Sequence, residues 1–211
     1  TYSTARDLSK LAAAFIRDYP NEYRRFAEKE FTYAGIRQHN RNRLLARDES
    51  VDGFKTGHTE AAGYCLVSSA LRGDMRLIAV VMGAASDGAR TEASQALLNY
   101  GFRFFESRKI YEPGDTVATR KVWKGKQESI DLTVAEPLFL TIPRGKYDAV
   151  AASAEIAETL QAPLEKHEVV GQLAMKLDDT VIATAPLVAA NAVASGSIFA
   201  RAIDEVMMLF D

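Results

Sequence analysis

The sequence predicts an α+β fold, an antiparallel sheet with helices followed by a small all-β domain. Three observations carry that reading. Residues 5–19 and 91–107 repeat apolar side chains at helical spacing. Between them lie three β-type runs, 51–56, 62–71 and 76–83. Near Tyr111-Glu112-Pro113-Gly114-Asp115 the character changes, and short alternating runs cut by turn residues continue to about residue 194.

Taken in order, Ala5–Tyr19 sets Leu8, Leu11, Ala12, Phe15 and Ile16 on one helical face, with Ser3 or Thr4 as the cap. Pro20-Asn21 punctuates, and Glu22–Lys29 continues as a short polar helix. Residues 31–45 are mixed and charged, which suits strand and loop. The turn signals Gly57-His58 and Arg72-Gly73-Asp74 separate the three β runs, whose apolar content fits central strands. Ser86-Asp87-Gly88 is a turn or a helix entry. Helix 91–107 then presents Ala93, Leu97, Tyr100 and Phe104 along one stripe, expected to be its core face.

Beyond the change near residue 109, strands are expected over 117–123, 130–134, 137–142, 146–151, 167–177 and 180–188, giving a small sandwich or barrel. The last segment, Ile198–Phe210, is amphipathic. Ile198, Phe199, Ala202, Ile203, Val206 and Phe210 fall on one side, Arg201, Asp204 and Glu205 elsewhere, and Met207 and Met208 widen the apolar face. The organisation expected is therefore 1–108, 109–195 and 196–211.

Bulk properties exclude more than they assign. A formal net charge of −2 and a pI near 6.0 give no reason to expect nucleic-acid binding. The single cysteine, Cys65, excludes an internal disulfide, and its apolar run reads as a buried, inert thiol. The polar start, Thr1 to Asp7, is not a signal peptide, and no stretch reaches the roughly 18 apolar residues of a spanning helix. His39, His58 and His167 lack ligand spacing, so no metal is expected, and no phosphate loop or dinucleotide fingerprint implies a cofactor.

Chemistry concentrates in Val-Asp-Gly-Phe-Lys-Thr-Gly-His-Thr (51–59). A strand ending Lys55-Thr56-Gly57-His58 can set an ammonium, a hydroxyl and a bare stretch of backbone on one cleft wall. The cation favours anions, the hydroxyl can donate to a terminal carboxylate, and Gly57 lets a peptide backbone approach. Lys-Thr-Gly accompanies S-x-x-K and S-x-N motifs in penicillin-binding proteins and β-lactamases. This chain has no S-x-x-K and no S-x-N. Its only Y-x-N, Tyr19-Pro20-Asn21, closes a helix and is rejected as catalytic.

The surrounding segments are Tyr-Ala-Gly-Ile-Arg-Gln-His-Asn-Arg-Asn-Arg-Leu-Leu (33–45), Ala-Gly-Tyr-Cys-Leu-Val-Ser-Ser-Ala (62–70) and Arg-Leu-Ile-Ala-Val-Val-Met-Gly-Ala (76–84). In this order the chain resembles the low-molecular-mass penicillin-binding proteins that act as D-alanyl-D-alanine carboxypeptidases, through most of its length. The resemblance implies that 1–108 is the C-terminal part of a transpeptidase/β-lactamase-like domain, that 109–195 is its β-rich second domain, and that 196–211 begins a membrane anchor. It implies a catalytic Lys55, with Thr56, Gly57 and His58 along the substrate. By the same resemblance Arg41, in Asn40-Arg41-Asn42, lies beside the cleft and Arg90 near the substrate's carboxylate end, both as substrate-binding residues, since a guanidinium can hold a carboxylate in a two-point fork.

The whole enzyme would be a periplasmic serine peptidase, held peripherally at the inner membrane, that trims D-alanine from peptidoglycan pentapeptides and is acylated by β-lactams. Its nucleophile would come from an upstream half, expected as a separate, associated chain. The competing readings are a non-catalytic β-rich stalk and a β-lactamase.

Overall fold

In the computed structural model, which describes residues 2–208, helix α1 (Ala5–Asp18) begins where the Thr4 hydroxyl accepts from the Asp7 amide at 3.1 Å. Pro20 opens a short helix α2 (Pro20–Tyr23), which tightens into a 3₁₀ turn, Arg24–Ala27. The expected polar helix is therefore broken, because Tyr23 turns inward to be buried. Its ring joins Phe15, Phe26 and Phe54 in an aromatic cluster with centroids 4.4–5.9 Å apart. A hairpin, β1 (Glu30–Tyr33) and β2 (Ile36–His39), leads through Asn40–Arg43 into helix α3 (Leu44–Arg47).

Three antiparallel strands follow: β3 (Val51–Thr59), β4 (Gly63–Arg72) and β5 (Met75–Ala84), in the order β3-β4-β5. The expected turn at Gly57-His58 is not there. Strand β3 runs on to Thr59, with Gly57 paired to Cys65 and His58 to Tyr64, and the chain turns only after Thr59. Helix α4 (Asp87–Phe104) starts four residues earlier than the apolar periodicity suggested, because the Ser86 hydroxyl caps it by accepting from the Ala89 amide at 3.1 Å.

The face that α4 buries is also not the expected one. Arg90, Thr91, Ser94, Leu98 and Phe102 point inward, while Leu97, Tyr100 and Phe104 are 48%, 57% and 47% exposed. Helix α4 carries apolar residues on two stripes. The buried stripe starts with small Thr91 and Ser94, which allow a close approach, and ends with Leu98 and Phe102 packed among Leu66, Ala70, Met75 and Ala79. Glycine at 101 belongs to the same contact, since a Cβ there would lie 2.4 Å from Leu77 Cδ1.

These elements form one compact unit, up to Glu106, and a second begins at Ser107. Strand β6 (Phe105–Tyr111) carries the chain across. In the second unit β6 pairs with β9 (Leu138–Pro143). The larger sheet contains β7 (Ala118–Trp123), β8 (Ser129–Val134), β10 (Val150–Ile156), β11 (Leu160–Gln161), β12 (Val169–Leu177) and β13 (Thr180–Ala189). Its order is β10-β12-β13-β8-β7-β11, antiparallel except for β7 with β11. Alternation on β8 buries Ile130 and Leu132 with Val122 and Val193, and places Val134 with Leu140, Leu173 and Leu187.

Helix α5 (Ile198–Met207) is capped by the Ser197 hydroxyl. Its polar side is tied back: Asp204 accepts from the Lys124 amide at 2.5 Å, and Glu205 pairs with the Lys124 ammonium. Its apolar residues face outward, Ile198 and Phe199 being more than 80% exposed. Phe210, expected on that face, lies outside the described residues. Among them, no helix is long and apolar enough to cross a membrane.

Candidate active site

Two asparagines hold the loop that follows β2. The Asn40 side chain donates to the Glu28 carbonyl at 3.0 Å and accepts from the Asn42 amide at 2.9 Å. Asn42 is buried; its amide group donates to the Gly53 carbonyl at 3.0 Å, and its oxygen accepts from the Leu44 amide at 3.2 Å. Asparagine suits this work because its side chain bonds backbone two residues on and reproduces a turn. Arg41, between them, is left exposed. The triplet thus reads as two fasteners and one presented guanidinium.

All six residues singled out in the sequence line one cleft of about 800 Å³ in the first unit: Arg41, Lys55, Thr56, Gly57, His58 and Arg90. His39, Asn40, Arg43, Tyr64 and Asp87 complete it. Four full cations, Arg41, Arg43, Lys55 and Arg90, face one carboxylate, Asp87, a local balance of +3 in a chain whose net charge is −2. Such a concave, cationic lining concentrates anions. The Lys55 ammonium donates to the Thr56 carbonyl at 2.5 Å, and the His58 ring lies 4.0 Å from that of Tyr64.

Gly57 is informative because the fold does not require it. Its backbone is not in the left-handed region, and a Cβ there would meet only Cys65 Cβ, at an ordinary 3.9 Å. At Gly53 the opposite holds, since a Cβ would fall 2.6 Å from the Tyr23 hydroxyl. Packing explains the glycine at 53, whereas at 57 only something entering the cleft benefits from the missing side chain. Cys65, on the neighbouring strand, is half-buried rather than buried, its thiol 3.5 Å from the Ala62 carbonyl, because the cleft end of β4 is open.

Arg90 is placed differently from an exposed anion grip. It is 5% exposed. One terminal nitrogen donates to the Gly57 and Cys65 carbonyls at 3.4 and 3.3 Å, and the other donates to the Arg41 carbonyl at 3.2 Å and to Asp87. It therefore ties β3, β4 and the Arg41 loop to the start of α4, while its Nε is buried with no partner among the described residues. Sequence reasoning missed Asp87, which pairs with Arg43 at 2.5 Å as well as with Arg90. The available signal was its place just after a serine cap, in a helix's first turn, where carboxylates are favoured. Among the described residues no group of His, Cys, Asp and Glu could hold a metal.

Comparison with known proteins adds the family. Residues 1–86 match the D-alanyl-D-alanine carboxypeptidase family, and residues 105–195 match the penicillin-binding protein 5, C-terminal domain. The chain is 44% identical to D-alanyl-D-alanine carboxypeptidase DacA of Escherichia coli K12, over 99% of this chain and 52% of that protein. It is 46% identical to DacC of the same strain, over 99% of this chain and 53% of that protein. Penicillin binding protein 5 from Haemophilus influenzae superposes with a TM-score of 0.84 at 43% identity, over 92% of this chain and 58% of that one. The chain thus spans about half the length of the curated relatives it matches. By both of its matched segments, it belongs to the D-alanyl-D-alanine carboxypeptidase family of penicillin-binding proteins.

Proposed function

We propose that this chain supplies the carboxylate-end wall of the active site of a serine D-alanyl-D-alanine carboxypeptidase. The observation that carries the reading is the glycine at 57: a bare edge of strand, unexplained by packing, beside Lys55, Thr56 and an exposed Arg41. A peptide laid along β3 would pair with the backbone at Gly57, while Thr56 donates to its terminal carboxylate and Arg41 forks it. Lys55 adds positive charge beside the serine and the developing oxyanion. The serine attacks the penultimate carbonyl and D-alanine leaves. Water then hydrolyses the acyl-enzyme; a β-lactam acylates the same serine.

The nucleophile belongs to an upstream segment carrying S-x-x-K and S-x-N, motifs this chain does not contain. Support comes from the relatives, roughly twice as long as this chain. The exposed stripe of Leu97, Tyr100 and Phe104 is a surface on which such a segment, in the same polypeptide or a separate one, would pack. The proposed location is the periplasmic face of the inner membrane, with the outward apolar side of α5 as the peripheral contact.

The test is D-alanine release from a diacetyl-lysyl-D-alanyl-D-alanine peptide by this chain assembled with the upstream segment. Activity that falls at least a hundredfold in Lys55→Ala supports the reading. Release unaffected by Lys55→Ala would sink it.

A further inference from the structure

We propose that Asp87 sets how many anionic groups the cleft accepts: by pairing with both Arg43 and Arg90 it occupies their forks and leaves Arg41, with Lys55, to take a single carboxylate. This rests on the reading of the cleft as a carboxylate-end site. Asp87 is the one carboxylate in the lining and is shared between two guanidiniums. One oxygen pairs with Arg43 Nε at 2.5 Å, and the other accepts from Arg90. The remaining terminal donors of Arg90 are spent on the carbonyls of Gly57, Cys65 and Arg41. The Lys55 ammonium rests on the Thr56 carbonyl. The Arg41 side chain, exposed, makes no ion pair or hydrogen bond among the described residues.

The consequence is one free fork rather than two. Arg41 and Arg43 stand two residues apart on the same loop. With Asp87 in place, the guanidinium of Arg43 is paired with the start of α4 and its charge is partly offset. Without that carboxylate, two adjacent forks would face the cleft and a dicarboxylate could engage both. Asp87 is thus a positioning residue that acts through Arg43 and tunes specificity by charge. Its position in the first turn of α4 has a local rationale as well, so the test must read ligand charge and not only folding.

The experiment titrates the full chain at low salt with three probes: acetyl-D-alanyl-D-alanine, its C-terminal amide, and acetyl-D-alanyl-D-glutamate. Amide shifts in NMR report binding, and far-UV circular dichroism reports the fold. Wild type is expected to favour the acid over the amide. Asp87→Asn should tighten binding of the acid by about three- to tenfold, as expected for removing one charge a few ångströms from the ligand. The glutamate probe should gain more, and the amide nothing. Asp87→Glu, which keeps the charge, should behave as wild type, and the gain should vanish in the double variant Asp87→Asn/Arg43→Gln.

Unchanged or weaker acid binding by a folded Asp87→Asn, an equal gain for the amide, or a gain that survives loss of Arg43 would each overturn the proposal. A wild type that does not distinguish acid from amide would sink the cleft reading itself, and this proposal with it.

Discussion

Substituting alanine at the two glycines of β3 separates what the fold needs from what a ligand needs. At Gly53 the new methyl would lie 2.6 Å from the hydroxyl of buried Tyr23, which donates to Asp52 at 2.8 Å and whose ring belongs to an aromatic cluster. Tyr23 must move, breaking that bond and loosening its stacking on Phe54. Overpacking and a lost hydrogen bond together should cost about 2–4 kcal/mol. At Gly57 the methyl meets only Cys65 Cβ at 3.9 Å, so stability should change by less than about 0.5 kcal/mol. The same methyl would hold a ligand backbone off the strand edge. Losing one or two main-chain hydrogen bonds should weaken binding or acylation by about 1.5–3 kcal/mol, roughly ten- to more than a hundredfold. Hydrogen exchange of the β3 and β4 amides reads the first quantity, and acetyl-D-alanyl-D-alanine binding the second. A Gly57→Ala chain that unfolds, or that binds as wild type, would refute the argument.

Other substitutions probe the supports of the cleft. Arg90→Met should destabilise the first unit by about 2–4 kcal/mol, because three carbonyls lose a donor whose bonds, at 3.2–3.4 Å, are each worth about 1 kcal/mol, and Asp87 loses a partner. Unchanged protection of β3 and β4 amides would show that Arg90 is not a brace. Asp48 provides a pH handle. Burial opposes its charge, yet bonds from Ser50, Gln95 and Arg72 outweigh that and hold its pKa at about 2, below its ordinary 3.8. Its folded pKa is depressed, so the stabilisation, about 2 kcal/mol, is present above pH 4 and lost as pH falls through 2. Asp48→Asn should flatten that segment of the stability–pH curve, and an unchanged acid slope would contradict it.

Much of this was legible in the sequence, for identifiable reasons. Apolar content between turn residues marked β3, β4 and β5, because the middle of this sheet is buried: β4 buries five consecutive residues, 66–70. The Lys-Thr-Gly strand and the Asn-Arg-Asn loop were found as motifs, and the fold brings their side chains into one cleft. What failed was the part set by tertiary contact. On α4, two apolar stripes compete. Thr91 and Ser94, unremarkable as core residues, win because close approach of helix to sheet needs small side chains. Gly57-His58 looked like a turn because glycine marks turns, but pairing with Cys65 and Tyr64 carries the strand through. The sharing of Asp87 between Arg43 and Arg90 links residues 44 and 3 positions apart, and no local pattern announces the longer link.

The central claim, that this chain is the anion-facing wall of a site whose nucleophile lies elsewhere, is tested most directly by intact mass. The chain, alone and assembled with the upstream segment, would be incubated with benzylpenicillin and measured under denaturing conditions. The account predicts no adduct on the isolated chain, and one drug mass on the assembled protein, carried by the part holding S-x-x-K. An adduct on residues 1–211 themselves, or none on the assembled protein, would contradict it.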